Sequence, residues 1–312
     1  MKAEIVVVGS LNADYVINLH KFPAPGETVI GKGFEIFPGG KGANQAFAAA
    51  RLGGSVAMVG QVGDDLHAGE LIRNLESAGV DTSYLQRDAT VASGLAFIYI
   101  DGEGQNQIII VPGANGTFAA ERLSVCHELI EGARIVLLQL EIPLATVLAA
   151  ARLAKRNRDS IVILDPAPAL DIPDELLSLA DYVTPNETEL ALLTCDEYEG
   201  GLDRAGAAQL ARRLLARGAN RVIVKLGSQG ALLVGNDQEH FWPPMPVTAV
   251  DTTAAGDAFN AAFAVSLAAG KNEVEAGEFA AAAAALSVTR KGAQPSMPTL
   301  QEIDFSFGDL TA

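Results

Sequence analysis

Cysteine is scarce: Cys126 and Cys195 are the only two in 312 residues, far apart and without metal-ligand spacing. Free thiols in a reducing compartment are expected, and neither a disulfide framework nor a thiolate metal site is. Basic charge is scarce as well. Lys and Arg number 22 against 38 Asp and Glu, a net of −16. Such a surface repels phosphate backbones. The nearest basic cluster, Lys155, Arg156 and Arg158, sits at the end of an Ala/Leu-rich helical segment, where cations complement the helix dipole. No nucleic-acid partner is expected. Long apolar runs are missing too: nothing approaches the ~20 residues that cross a bilayer. Phe279 to Val288, the longest Ala-rich run, reads as a buried helix, and Ile5 to Val8 is too short for a signal-peptide core. The expectation is a cytoplasmic protein without membrane attachment.

Two phosphate-binding motifs are also absent. No Gly-x-x-x-x-Gly-Lys-Ser/Thr segment occurs, which excludes a P-loop. No Gly-x-Gly-x-x-Gly follows the first strand, so a dinucleotide site of the usual type is not expected. With the overall field opposed to anions, any phosphate must be held by local donors.

What is present is a large apolar fraction, 49%, enough for a substantial core. Short β-branched runs recur at Ile5 to Val8, Val56 to Val59, Ile135 to Leu138, Ile161 to Leu164, Tyr182-Val183 and Val222 to Val224. Helical segments fall between them: Asn44 to Leu52, Gly69 to Ala78, Leu144 to Lys155, Glu187 to Thr194 and Ala205 to Arg217. That alternation predicts an α/β fold, a Rossmann-like, mostly parallel sheet flanked by helices. Two β-rich stretches interrupt it, Leu11 to Phe37 and a hairpin over Ser93 to Val111 that turns at Asp101-Gly102-Glu103-Gly104. Together they predict a small β-sheet lid built from two insertions, placed over the carboxyl ends of the parallel strands. Residues 1–10, 38–92 and 112–312 are then the core, and 11–37 and 93–111 the lid. A second face on that lid predicts pairing with another copy, a homodimer.

Three segments carry candidate chemistry. Asp251 to Asn260 places Thr, Ala and Gly ahead of a helix at Ala258 to Leu267. Small residues there leave backbone N–H groups open to an anion, so Ala255, Gly256 and Asp257 form a candidate anion hole. Asp257 itself is either a helix cap, contributing about 0.5–2 kcal/mol, or a general base for a hydroxyl that attacks phosphorus. The second segment, Gly39 to Ala46, brings the chain close to a ligand through Gly39 and Gly40 and offers the Asn44 amide to sugar hydroxyls; a plain turn with Asn44 as N-cap is the alternative. In the third, alternation puts Asn12 and Asp14 on one face if the chain is extended, suiting two neighbouring hydroxyls; a turn role is the alternative. Beyond these, Glu187 and Glu189 start a helix and either cap it or organise hydrated Mg²⁺. Lys225 to Gly230 either lays a nucleotide against its glycines or makes a tight turn.

The glycine-rich segment from Gly39, continued to Gly53 and Gly63, resembles the N-terminal signature of the ribokinase family, and Asp251 to Ala262 resembles its C-terminal signature. Gly9 to Asp14, Pro25 to Thr28 and Thr289 to Ser296 are similar as well, so the likeness spans essentially the whole chain. It implies phosphorylation of D-ribose at O5 from MgATP, with Asp257 as base and Ala255, Gly256 and Asp257 as anion hole. It implies further that Asn12, Asp14, Gly40, Lys41, Asn44 and Glu141 hold the sugar. Asn186, Lys225, Gly227, Ser228, Gly230 and Gly256 would face ATP, with Glu189 near Mg²⁺ through water. An activating K⁺ would lie at Asp251, Thr253, Ser287, Arg290, Gly292 and Ser296, mostly on backbone carbonyls. A related alcohol (2-deoxyribose, fructose, a sugar acid or a nucleoside) is the alternative substrate, and a sugar-binding regulator without catalysis the alternative class. Lys225 departs from the Thr frequent in the family, and the uniform Ala280 to Ala285 run offers no polar side chain to a purine.

Overall fold

In the computed structural model, which describes residues 3–196 and 201–308, the β-branched runs pair into one large sheet. The expected core's outermost residues, 1–2 and 309–312, lie outside the described residues. Among those described, the sheet has nine strands. In spatial order they are Glu239–Trp242, Ala231–Gly235, Arg221–Lys225, Tyr182–Val183, Ile161–Leu164, Ile135–Leu138, Ile5–Val8, Val56–Gly63 and Leu85–Asp88. Every pairing from Arg221–Lys225 to Leu85–Asp88 is parallel, and the two strands at the opposite edge are antiparallel.

The central strands read as unbroken Val/Ile/Leu because both faces are covered. Val6, Val8, Val136 and Leu138 enter one core layer under the helices Leu144–Ala154 and Arg204–Ala216. Ile5, Val7, Ile135 and Leu137 enter the other, under Lys41–Arg51, Leu66–Ser77, Ala255–Ala268 and Glu273–Ser287. The Phe279 to Val288 run thus belongs to a buried helix, as its composition predicts, and no helix among the described residues is long and apolar enough to cross a membrane.

Inside Glu273–Ser287, Gly277 gives room to the protein's single tryptophan. A Cβ there would fall 2.0 Å from the Trp242 ring, whose Nε1 donates to the Val274 carbonyl at 2.9 Å. Held this way, the indole has little freedom to retreat. Gly277→Ala is therefore expected to lower stability by about 1–3 kcal/mol, read from urea unfolding followed by Trp242 fluorescence.

The two β-rich excursions join in a second sheet, in order Gly33–Gly39, Asn12–Asn18, Gly94–Ile100 and Asn106–Val111. Asn12 sits opposite Gly39 on one side and Gly94 on the other, so the start of this sheet lies directly after the first strand of the large one. The structure departs from the sequence expectation in several places. The strand from Val56 runs on to Gly63, the helix expected near Asn44 begins at Lys41, and Ala231–Gly235 with Glu239–Trp242 form a hairpin the sequence reading left unassigned.

Candidate active site

Parallel strands deliver their next residues to one edge of the sheet, where α/β folds place ligands. Ser10 and Asn12 follow Val8, Gln139 and Glu141 follow Leu138, Asp165 follows Leu164, Asn186 follows Val183, and Lys225 closes its strand. The helices Lys41–Arg51 and Ala255–Ala268 start at this edge. Gly42 permits the first to approach: a Cβ there would lie 2.6 Å from the Ser10 nitrogen.

Asp257 is 3% exposed and is not a cap. The N-cap is Ala254, in the left-handed region at φ 59°, which sets Asp257 inside the first turn with its side chain turned inward. Its carboxylate accepts from Asn44 Nδ2 and Gln45 Nε2, each at 3.0 Å. Asn44 is likewise no cap, since Gly40 precedes the helix at φ 89°. Gln45 Nε2 also donates to Asp165 Oδ2 at 3.0 Å, and its Oε1 accepts from Gln139 Nε2 at 2.7 Å. One amide thus bridges two buried carboxylates. Burial pushes the Asp257 carboxyl up; Lys41 opposes that, Asp165 adds to it, and the result is about 6.

At the start of this helix, Ala255 N–H is engaged with Thr252 O at 3.3 Å, whereas the Gly256 and Asp257 amides find no acceptor among the described residues. Of the expected anion hole, two of three donors are therefore open.

Asn12 and Asp14 share a face of the strand Asn12–Asn18, as alternation predicts, and both are buried. Asp14 lies over Gly39, where a Cβ would meet its carboxylate at 2.0 Å. Its Oδ1 is buried and has no hydrogen-bond partner. Desolvation, with Glu141 and Asp257 nearby, drives its carboxyl up to about 8. Asn12 is fixed by Asn115, whose Nδ2 donates to Asn12 Oδ1 at 2.8 Å, and Glu141 Oε2 accepts from Ser10 Oγ, Lys41 N–H and Asn12 Nδ2 at 2.5, 3.2 and 3.4 Å. Burial pulls the Lys41 ammonium down, but Asp257, Asp165, Glu141 and Glu189 outweigh burial and raise it. Lys41 is therefore a fixed cation among carboxylates.

On the other side of Asp257, Asn186 and Glu189 make a reciprocal capping box, with Asn186 Oδ1 accepting from Glu189 N–H and Glu189 Oε2 from Asn186 N–H, both at 2.8 Å. Glu187 caps nothing; it accepts from Leu202 N–H at 2.9 Å. Burial raises the Glu189 carboxyl against the pull of Lys225. The segment Gly227–Gln229 is a turn between two antiparallel strands, with Gly227 and Ser228 exposed and Gly230 at φ 99°.

Farther out, the Asp251 carboxylate accepts from Thr253 N–H at 2.9 Å and Gly292 N–H at 2.8 Å, which draws two loops together. The Ser287 and Ser296 hydroxyls donate to the Ala284 and Ala293 carbonyls, and Arg290 pairs with Glu302 at 2.7 Å.

The structure adds residues that the sequence reading did not select: Ser10, Gln45, Asn115, Gln139, Asp165 and Gln294, the last donating to Asn44 Oδ1 at 3.1 Å. Each is one polar residue joined to partners up to 250 positions away, as Gln294 is to Asn44. Local sequence carries no signal for such a pairing, except that Gln45 lies next to Asn44.

The chain as a whole matches a known class. A model of the pfkB family of carbohydrate kinases matches residues 2–300, and the chain belongs to that family. It is 41% identical to a ribokinase of Haemophilus influenzae over 303 residues, 97% of either chain. It is 39% identical to a deoxyribokinase of Salmonella typhi over 305 residues, 96% of this chain and 97% of that one. Against the structure of an Arabidopsis thaliana ribokinase complexed with ribose and ATP, the TM-score is 0.90 at 38% identity, covering 97% of this chain and 98% of the other. The protein is a ribokinase-type carbohydrate kinase, an enzyme that phosphorylates a sugar hydroxyl.

Proposed function

We propose that the protein transfers the γ-phosphoryl group of ATP to O5 of D-ribose, giving D-ribose 5-phosphate and ADP. The observation that carries this is a buried carboxylate, Asp257, pinned by two amide donors beside a second buried carboxylate, Asp14, one of whose oxygens has no partner. An orphaned buried acceptor costs free energy, and a polyol hydroxyl supplies the missing donor.

In this mechanism Asn12, Asp14, Gly40, Lys41, Asn44 and Glu141 hold the sugar. Asn186, Lys225, Gly227, Ser228, Gly230 and Gly256 face ATP. Asp257 accepts the proton of the attacking hydroxyl as the loose transition state forms, and the Gly256 and Asp257 amides, with Ala255 completing the turn, hold the phosphoryl oxygens. The small sheet closes over the sugar and excludes water, which limits ATP hydrolysis.

Carboxylates, water and backbone carbonyls are the ligands hard cations take. Glu189, kept near Asp165 and Lys225, would hold Mg²⁺ by way of water, and Mg²⁺ supplies charge neutralisation on the transferring phosphates. For K⁺, the Asp251, Thr253, Ser287, Arg290, Gly292 and Ser296 segments would offer backbone carbonyls. The Ser287 and Ser296 hydroxyls already donate elsewhere, and the Arg290 guanidinium is taken by Glu302. A cation there supplies attraction that firms the Asp251 turn leading to the anion hole.

The strand Asn106–Val111 is exposed along its whole length, with Ile108, Ile109 and Ile110 uncovered, and Phe34 on the opposite edge strand is also exposed. An apolar, unpaired edge of this kind supports a homodimer through the small sheets. Light scattering at the mass of one chain would remove that assignment.

The test of function is a coupled ADP-release assay with MgATP and a panel of sugars and nucleosides, with and without K⁺. Ribose is expected to give the highest kcat/KM, raised by K⁺. The deoxyribokinase relative supports 2-deoxyribose as a second reading; a higher kcat/KM with that sugar establishes it. No turnover with any alcohol points to a sugar-binding regulator.

A further inference from the structure

Lys225 has an unusual position for a residue at the end of a strand. Its backbone is fixed by the Pro185 carbonyl, which accepts its N–H at 2.9 Å, and by a bridge to Asn186. The side chain then turns inward and is only 14% exposed. Its Nζ donates to Asp165 Oδ1 at 3.0 Å. The same Nζ is 3.1 Å from the place a Cβ on Gly256 would occupy. The ammonium therefore lies close against residue 256 at the start of the helix Ala255–Ala268, where a side chain would press on it.

Two roles are compatible with this location. Lys225 either neutralises Asp165 or meets the anion that the Gly256 amide receives. Asp165 does not depend on Lys225 for all its donors, because its Oδ2 already accepts from Gln45. An ammonium that leaves Oδ1 still leaves the carboxylate hydrogen-bonded. Among the described residues, Lys41 and Lys225 are the two ammonium groups facing the Asp165, Glu189 and Asp257 cluster. The Lys41 ammonium stands within the carboxylate ring, nearest in effect to Asp257 and Asp165, and its backbone N–H is held by Glu141. Lys225 stands by Asn186, the side assigned to ATP in the proposed mechanism.

We propose that Lys225 is a further catalytic residue whose ammonium, resting on Asp165 in the nucleotide-free protein, moves to the transferring phosphoryl group at the Gly256 amide. The inference rests on the kinase reading of this site. As the bond between the γ-phosphorus and its bridging oxygen breaks, the sugar oxygen forms its bond to that phosphorus. The hydroxyl proton passes to Asp257, and the bridging oxygen keeps the electron pair. Lys225 retains its protons throughout and supplies charge to the equatorial oxygens, as preorganised cations do in phosphoryl transfer.

The experiment compares wild type with Lys225→Met, Lys225→Arg and the double variant Asp165→Asn/Lys225→Met, each checked for a cooperative thermal transition. Lys225→Met is expected to lower kcat roughly 10–100-fold with the sugar KM changed less than about threefold, and Lys225→Arg to recover part of the loss. By titration, it is expected to weaken MgATP about 5–10-fold while changing MgADP less than about twofold, as the loss of one contact to the γ-phosphate requires. The double variant separates the two roles. Asp165→Asn is measured alone as the reference for the pair: a lysine that only neutralised Asp165 predicts a pair no slower than Asp165→Asn, and that result overturns the proposal; a pair slower than Asp165→Asn supports it. Unchanged MgATP affinity in Lys225→Met also overturns it, whether or not the wild type phosphorylates ribose. Wild-type inactivity on every alcohol, by contrast, removes the kinase reading itself.

Discussion

Replacing Asp257 with Asn is expected to lower kcat roughly 10²–10⁴-fold, with the sugar KM little altered. The side chain sits at the junction of two networks, accepting from Asn44 on one oxygen and Gln45 on the other. An Asn of the same shape can accept only one of these donors and cannot take up a proton. With Asp257 as the proposed base, its ionised form is the active one. Because burial, the largest influence on it, lifts its carboxyl to about 6, kcat/KM for the sugar should fall as pH drops through about 6. Near-normal turnover by Asp257→Asn, or an acid limb far below pH 6, would take the base assignment away.

Asp14→Ala carries the second large effect. It is expected to raise the sugar KM by about 30–300-fold, the scale of roughly 2–3 kcal/mol for sugar hydroxyls left without their hydrogen-bonding partner in a buried site, with ATP affinity intact. An unchanged KM would show that the Asn12–Asp14 segment is not where the sugar binds. The same carboxylate should be a liability to the empty protein. Burial lifts its carboxyl from the ordinary 3.8 to about 8, so the native state favours the protonated form. Stability is then full below pH 4 as far as this group is concerned, and declines as pH rises through 8. The neutral variant Asp14→Asn escapes that loss, and its thermal midpoint without sugar should exceed wild type by about 2–6 °C at pH 8. The gain should vanish near pH 4. An equal gain at both values would mean that charge is not its cause.

The large sheet was legible because strands buried on both faces must be apolar at every position, as Ile5 to Val8 and Ile135 to Leu138 are. The shared face of Asn12 and Asp14 followed from strand periodicity alone. Asp257 and Asn44 were harder. Both lie near helix starts, where polar residues usually cap, and nothing local distinguishes a cap from a residue one turn position inside. The distinction depends on Ala254 in a left-handed conformation, which an alanine does not announce, and on Gly40, whose positive φ sets the start at Lys41. The amide chain from Gln139 through Gln45 to Asp165 and Asp257 could not be read at all, since its members meet only through the order of strands. Lys225 showed the reverse difficulty: its residue type stood out in the sequence, but the direction of its side chain did not.

The strand Asn12–Asn18 has a double membership. It is the second strand of the small sheet, and its first residues are joined to Glu141 and Asn115 at the edge of the large one. In the proposed mechanism the roof and the gripping hand are therefore one piece of chain. A small sheet that lifted would take Asp14 with it, so the passage would open and the hold on the sugar slacken in a single movement. Exit and release would then not be two events that need to be timed against each other.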